Sequence, residues 1–322
     1  MIRTALMAAA AALLAAPHVS PLRAEAPAGE PIEAPGPLAP LSGTLLRASE
    51  GGEGPVALII PGSGPTDRDG NNPLGVTAAS YRLLAEALLE RGIATVRIDK
   101  RGMFASSAAA NPNAVTIPDY VADTAAWVAA TRKATGAQCV WLIGHSEGGL
   151  VALAAAQELE GLCGVVLVAA PGRPLGDVIK SQIRANPANV TLVVPADNAV
   201  DILASGHYVN VDNLPVPLRG LFAREVQGFL ISAFSYDPAA LAAATKLPLL
   251  IVQGGRDIQV PVADAERMAA ANPAAKLVVL PEVNHVLKDV AEGTAANLAA
   301  YRDPALPLGK GVAAAIADFI TQ

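Results

Sequence analysis

The chain has 322 residues, 52% of them hydrophobic, with 23 basic against 29 acidic side chains and a formal net charge of −6. So much apolar material excludes a largely disordered chain and suffices for one large α/β domain or two ordinary ones. The charge balance offers no basic patch for nucleic acid and no polybasic run for anionic lipid, which leaves a small or neutral molecule as the expected partner.

The N-terminus differs in composition from the rest of the chain. Arg3 supplies positive charge, Ala5 to Ala16 form an uncharged run rich in alanine and leucine, and Pro17 and Pro21 break it. This is the pattern of a secretory leader over residues 1–24, with Leu22-Arg23-Ala24 as an imperfect cleavage site. The mature protein is then expected to be periplasmic or secreted, where cysteines can oxidise. The run is shorter than the roughly 20 residues of a bilayer span, so no stable membrane anchor is expected. Residues 25–40, rich in Pro, Ala and Gly, read as a flexible N-terminal segment ahead of a domain covering 41–322.

Short apolar runs ending in turn residues then recur at Val56–Ile60, Ala94–Ile98, Cys139–Ile143, Val165–Val168, Leu249–Val252 and Leu277–Leu280. Each predicts a strand, and their lack of clean alternation is that of a parallel sheet covered on both faces. Between them, helical spacing covers Ala78–Arg91, Pro118–Ala134, Glu147–Leu159 and Val262–Ala271, with Val312–Ile320 closing the chain. The alternation predicts an α/β fold with a mainly parallel sheet. Residues 173–247 separate two strands by far more than a crossover helix requires. Helical stretches at Ile179–Ile183, Val200–Leu203 and Leu221–Ile231 make this interval a cap insertion.

The run Gly144-His145-Ser146-Glu147-Gly148 lies where a predicted strand passes into a predicted helix. A serine on so tight a corner can project its hydroxyl above the sheet as a nucleophile, although a glycine-rich corner without chemistry has the same composition. A serine nucleophile needs a base, and the chain has four histidines. His18 belongs to the leader, His145 diverges from its neighbour Ser146 and fits a packing role, and His207 falls in the cap. His285 follows the last predicted strand at its carboxyl end, where parallel sheets bind ligands, and is the candidate base.

The imidazole in turn needs a carboxylate on the same edge. Asp257 stands just past the strand Leu249–Val252 and gives the chain order Ser, Asp, His; Asp201 and Asp237, in the cap, compete with it. A tetrahedral intermediate also needs two donors. These are expected from the backbone N–H of Glu147, directly after the serine, and of Ser63 in Pro61-Gly62-Ser63-Gly64-Pro65. The neighbouring Asp67, Arg68 and Asp69 either position this loop through ion pairs or solvate a turn. Arg101 is either a structural clasp or a substrate anchor.

Together the loop Gly62–Gly70, Asp99-Lys100-Arg101-Gly102, the serine corner, and Gly254-Gly255-Arg256-Asp257 followed by Asn284-His285 resemble a serine α/β-hydrolase of the esterase/lipase and serine aminopeptidase S33-like group. The first loop is similar to that of EstD-type bacterial esterases. The resemblance covers roughly Leu41 to Gln322. It implies an α/β-hydrolase fold with an eight-stranded sheet, helices on both faces, a helical cap, and neither metal nor organic cofactor. The likeness does not fix a substrate; the leading expectation is hydrolysis of carboxylic esters of small to medium acyl groups through an acyl-enzyme, with a thioesterase, an aminopeptidase or a non-catalytic binding protein on the same scaffold as alternatives. Finally, the resemblance implies that the strands beginning at Cys139 and Cys163 are parallel neighbours. The two residues then meet at the edge remote from Ser146, either as a disulfide or as two buried thiols.

Overall fold

Eight strands make one sheet: β1 (Glu30–Ala34), β2 (Leu41–Leu46), β3 (Val56–Ile60), β4 (Ala94–Ile98), β5 (Val140–His145), β6 (Leu162–Val168), β7 (Leu249–Gly254) and β8 (Lys276–Leu280). The structure, a computed structural model, describes residues 29–48 and 54–322; the expected leader lies outside them. Strand order is β1-β2-β4-β3-β5-β6-β7-β8. From β4 to β8 all neighbours are parallel, whereas β2 is antiparallel to both β1 and β4.

Helices α1 (Ser80–Leu89), α2 (Ile117–Thr135) and α3 (Glu147–Glu158) precede the cap, and α4 (Leu175–Ala185), α5 (Val193–Ala204), α6 (Val216–Arg219), α7 (Arg224–Phe234) and α8 (Pro238–Ala244) lie between β6 and β7. Then come α9 (Val262–Ala271), α10 (Thr294–Ala300) and α11 (Val312–Ile320). Successive side chains of each strand serve opposite faces. Leu58 and Ile60 join the core beneath α2, α3 and α9, while Ala57 and Ile59 join the one beneath α1 and α11. With both faces covered, β3, β5 and β7 are buried at every position, which is why their sequences show no alternation.

Two expectations are corrected. Residues 30–34, assigned to a flexible segment, form β1: Ile32 and Ala34 are buried, Ile32 pairs with Gly43, and Pro31 is tolerated because β1 is an edge strand. The cap is smaller than 173–247. Its own core, including Ile179, Ile183, Val200, Leu203, Phe222 and Leu230, involves α4 to α7, whereas Ala239 and Ala242 of α8, with Ala233 at the end of α7, pack into the core of the main body.

Cys139 and Cys163 are joined by a disulfide across 24 residues. Val140 pairs with Leu162 and Trp141 with Gly164, so Cys163 is the extra residue of a bulge. Closing a loop of this length stabilises by roughly 3 kcal/mol in the chain-entropy model.

Candidate active site

Strand β5 ends at His145 and α3 begins at Glu147, leaving Ser146 alone at the corner with φ 53° and ψ −122°. A non-glycine residue in this region costs on the order of 1–3 kcal/mol and persists only where its surroundings enforce it. Here they do: the Ser146 N–H donates to Val168 O (2.9 Å) and its carbonyl accepts from Gly149 N (2.9 Å). A Cβ on Gly144 would overlap the carbonyl oxygen of Gly148, and one on Gly148 that of Ile60. Only glycine on both sides of the serine lets strand, corner and helix approach this closely.

Asp257 follows β7 and His285 follows β8. His285 Nδ1 lies 2.7 Å from Asp257 Oδ2, which also accepts from Gln253 Nε2 (3.2 Å), while Oδ1 accepts from the N–H groups of Gln259 (2.8 Å) and Val260 (2.9 Å). Burial alone would raise the Asp257 pKa, but the His285 imidazole and these backbone donors hold it below its ordinary value. An ionised carboxylate only accepts, so Nδ1 carries the shared proton and Nε2 is left as the basic nitrogen. Ser146 and His285 line a common cavity of about 160 Å³. Oγ and the imidazole are not hydrogen-bonded to each other in this structure; contacts of this kind commonly tighten only in the substrate complex.

His145, whose side chain diverges from Ser146, is buried between two partners. Its Nε2 is 2.9 Å from the carbonyl oxygen of His285 and its Nδ1 is 2.9 Å from Tyr81 Oη. A carbonyl only accepts, so Nε2 donates to it and Nδ1 receives the Tyr81 proton. Tyr81 Oη in turn accepts from the N–H of Gly62 (3.0 Å). Burial, reinforced by the neighbouring His285, pushes the His145 pKa down to about 3 and keeps the ring neutral. One chain of hydrogen bonds thus connects Gly62 with the backbone that presents His285.

Gly62 is held at its other end too, because buried Lys100 donates to its carbonyl oxygen (2.7 Å) and lies 3.8 Å from Glu147 Oε1. Burial lowers the Lys100 pKa, and Glu147 opposes that shift. In a trans peptide the C=O and N–H point in opposite directions, so fixing the Gly62 oxygen turns the Ser63 N–H away from the ammonium. Among the described residues, neither the Ser63 nor the Glu147 N–H has a protein acceptor.

The ion-pair residues of this loop divide. Arg68 is bidentate to Asp99 (Nε to Oδ2, 3.0 Å; N to Oδ1, 2.9 Å) and Asp69 pairs with Arg97, while Asp67 builds the turn by accepting from Asp69 N and Asn71 N. Arg101 is a clasp, bound to Asp119 and Asp123 of α2. The competitors lie elsewhere: His207 is exposed beside Ser205, Asp201 pairs with Lys180, and Asp237 caps α8.

A larger cavity of about 800 Å³ opens from the serine beneath the cap, with Ser63, Lys100, Ser146 and Glu147 at one end and Val178, Phe229 and Leu230 among its apolar walls. Nothing in the local sequence marks Tyr81 or Gln253, and the Asp99-Lys100-Arg101-Gly102 run does not show what Lys100 binds; Tyr81 and Lys100 act on partners that only the fold brings near, whereas Gln253 reaches Asp257 four residues on. Among the described residues no cluster of His, Cys, Asp and Glu has the grouping of a metal site.

A strand-corner-serine with a buried Asp–His pair can perform acyl transfer. Comparison with known proteins agrees in kind. Esterase EstD of Thermotoga maritima is 24% identical over 254 residues, covering 77% of this chain and 58% of that protein, so the chain spans little more than half its relative's length. Est1E from Butyrivibrio proteoclasticus shares the fold with a TM-score of 0.56 at 16% identity, over 92% of this chain and 100% of that one. The Pyrococcus furiosus esterase Pf2001 does so with a TM-score of 0.54 at 18% identity, over 91% and 92%. The model of the alpha/beta hydrolase family matches residues 57–296, and with the fold and the serine corner this establishes that the chain belongs to that family.

Proposed function

We propose that the protein is a serine hydrolase that cleaves carboxylic esters of small to medium acyl groups through an acyl-enzyme. Ser146 Oγ attacks the ester carbonyl as His285 Nε2 takes its proton, and Asp257 holds the Nδ1 proton and stabilises the resulting imidazolium. The oxyanion accepts from the Ser63 and Glu147 N–H groups. His285 then protonates the departing alcohol and afterwards activates the water that frees the acid. One observation carries this reading: Ser146, at φ 53°, lines a cavity with an imidazole whose Nδ1 is bound to a buried carboxylate. The similarity to esterase EstD supports the choice of ester as substrate.

Turnover of p-nitrophenyl esters of increasing acyl length, with wild type and Ser146→Ala, tests this. The expected result is chain-length-dependent hydrolysis with an initial burst of nitrophenol, abolished in the variant. Full turnover by Ser146→Ala, or none of any ester by wild type, would contradict it. Export to the periplasm or the medium is part of the proposal, supported by the leader pattern at residues 1–24 and by the Cys139–Cys163 disulfide.

A further inference from the structure

The two cavities that meet at Ser146 differ in size, in chemistry and in which catalytic partner they contain. The cavity of about 800 Å³ includes Ser63 and Glu147 but not His285, and its walls include Met103, Phe104, Leu175, Val178, Phe229 and Leu230. The cavity of about 160 Å³ includes His285 and is lined by Thr66, Asn72, Gln259 and Tyr301. Ser63 and Gln259 stand with Ser146 at the boundary, lining both.

Mechanism decides which half of an ester enters which cavity. The acyl carbon bonds to Ser146 Oγ while its bond to the alcohol oxygen breaks, and the proton taken from Oγ travels on His285 Nε2 to that departing oxygen. The alcohol must therefore lie on the side of His285, which is the small cavity. The acyl chain is left the large apolar one.

The small cavity also has unspent hydrogen-bonding capacity. Thr66 Oγ1 donates to Ser63 O (2.9 Å) and accepts from one Asn72 amide hydrogen (3.3 Å), Asn72 Oδ1 accepts from Leu74 N (2.8 Å), and Gln259 Nε2 donates to Tyr301 Oη (2.9 Å). By inventory this leaves the second Asn72 amide hydrogen, the Tyr301 phenolic proton, and one donor and the acceptor of the Gln259 amide without partners among the described residues. A small hydroxylated alcohol can use them, and an alkyl chain cannot.

We propose that the substrates are esters joining a medium-length apolar acyl group to a small hydroxyl-bearing alcohol, with Asn72, Gln259 and Tyr301 as specificity-determining residues. This rests on the ester-hydrolase assignment above, and the test separates the two. Ethyl octanoate and octyl acetate are isomers that exchange the long and short halves. 2-Hydroxyethyl octanoate and propyl octanoate are close in size and differ by one hydroxyl in the alcohol. Specificity constants for all four are measured with wild type, Tyr301→Phe and Ser146→Ala.

Wild type should favour ethyl octanoate over octyl acetate, and the hydroxyethyl over the propyl ester, each by about tenfold or more. Tyr301→Phe should lose most of the hydroxyl preference while keeping the preference between the isomers. Equal or reversed rates for the isomers would overturn the orientation, and absence of a hydroxyl preference would overturn the polar alcohol site. Cleavage of no ester at all, or undiminished cleavage by Ser146→Ala, would overturn the ester-hydrolase assignment and this proposal with it.

Discussion

The carboxyl edge of the sheet and the cap are held together by different forces. At the edge, directional bonds join residues far apart in the chain: Tyr81 to His145 over 64 residues, Lys100 to Gly62 over 38, and Asp257 to His285 over 28. In the cap, Gln227 ties the backbones of Val209 and Phe222, but cohesion comes mainly from an apolar core, and pairs such as Arg184–Asp197 lie toward the surface. Hydrogen bonds fix atoms to within tenths of an ångström, whereas apolar walls accept replacement at modest cost. Chemistry therefore belongs to the first region and selectivity for the acyl chain to the second.

The sharpest break of this contrast is Ser146→Ala, which should lower kcat on the order of 10⁵-fold while leaving the thermal midpoint within a few degrees of wild type, because Oγ carries no packing. Near-normal turnover in the steady-state assay would place the nucleophile elsewhere. Next is Asp257→Asn, expected to cost on the order of 10⁴-fold in kcat by favouring the wrong tautomer of His285. Asp201→Asn and Asp237→Asn should change kcat by less than about twofold, as surface substitutions do. A large loss in either of those and none in Asp257→Asn would reverse the assignment.

Lys100→Met comes third. Releasing the Gly62 carbonyl lets the peptide before Ser63 turn, so kcat should fall on the order of a hundredfold, comparable to loss of one oxyanion donor, with KM little changed. A rise in KM with unchanged kcat would make Lys100 a substrate anchor instead. In the cap, Phe229→Ala should alter the ratio of rates between short and long acyl esters by several-fold, yet leave the reaction with a small phosphonate nearly untouched. Equal losses toward every substrate would mean that the cap supplies a catalytic group.

The smallest effect concerns pH. His145 titrates near 3 in the folded protein against an ordinary 6.5, so between these values the unfolded chain binds the extra proton. The stability this group contributes is intact above pH 6.5 and is lost as pH falls toward about 3. Urea midpoints between pH 6.5 and 4.5, where Asp257 with its ordinary value of 3.8 is not yet involved, should fall less steeply in His145→Asn by up to one proton's worth of slope. An unchanged slope would mean that His145 is not held neutral.

What could be read from sequence followed the same division. The buried strands announced themselves as apolar runs, and Ser146, Asp257 and His285 each stand just past such a run, where chain order and turn residues mark them. Strand β1 was hidden because Glu30-Pro31-Ile32-Glu33-Ala34 buries only its alternate residues and contains a proline that only an edge tolerates. The roles of Tyr81 and of Lys100, a member of the Asp99-Lys100-Arg101-Gly102 run, were hidden for another reason. Nothing local shows what a tyrosine on α1 or a lysine after β4 binds until the sheet order sets β3 between β4 and β5 and brings Gly62, Lys100 and His145 together. Both readings of the Asp67-Arg68-Asp69 run were partly right, since the turn and the ion pairs belong to different members of it.

The central claim is that Ser146 is a nucleophile activated by the Asp257–His285 pair, and covalent labelling with a fluorophosphonate reads this without reference to any natural substrate. Intact mass and peptide mapping should show one adduct per chain, on Ser146, absent in Ser146→Ala and formed more slowly by orders of magnitude in Asp257→Asn. No adduct on folded wild-type protein, or an adduct that persists in Ser146→Ala, would contradict it.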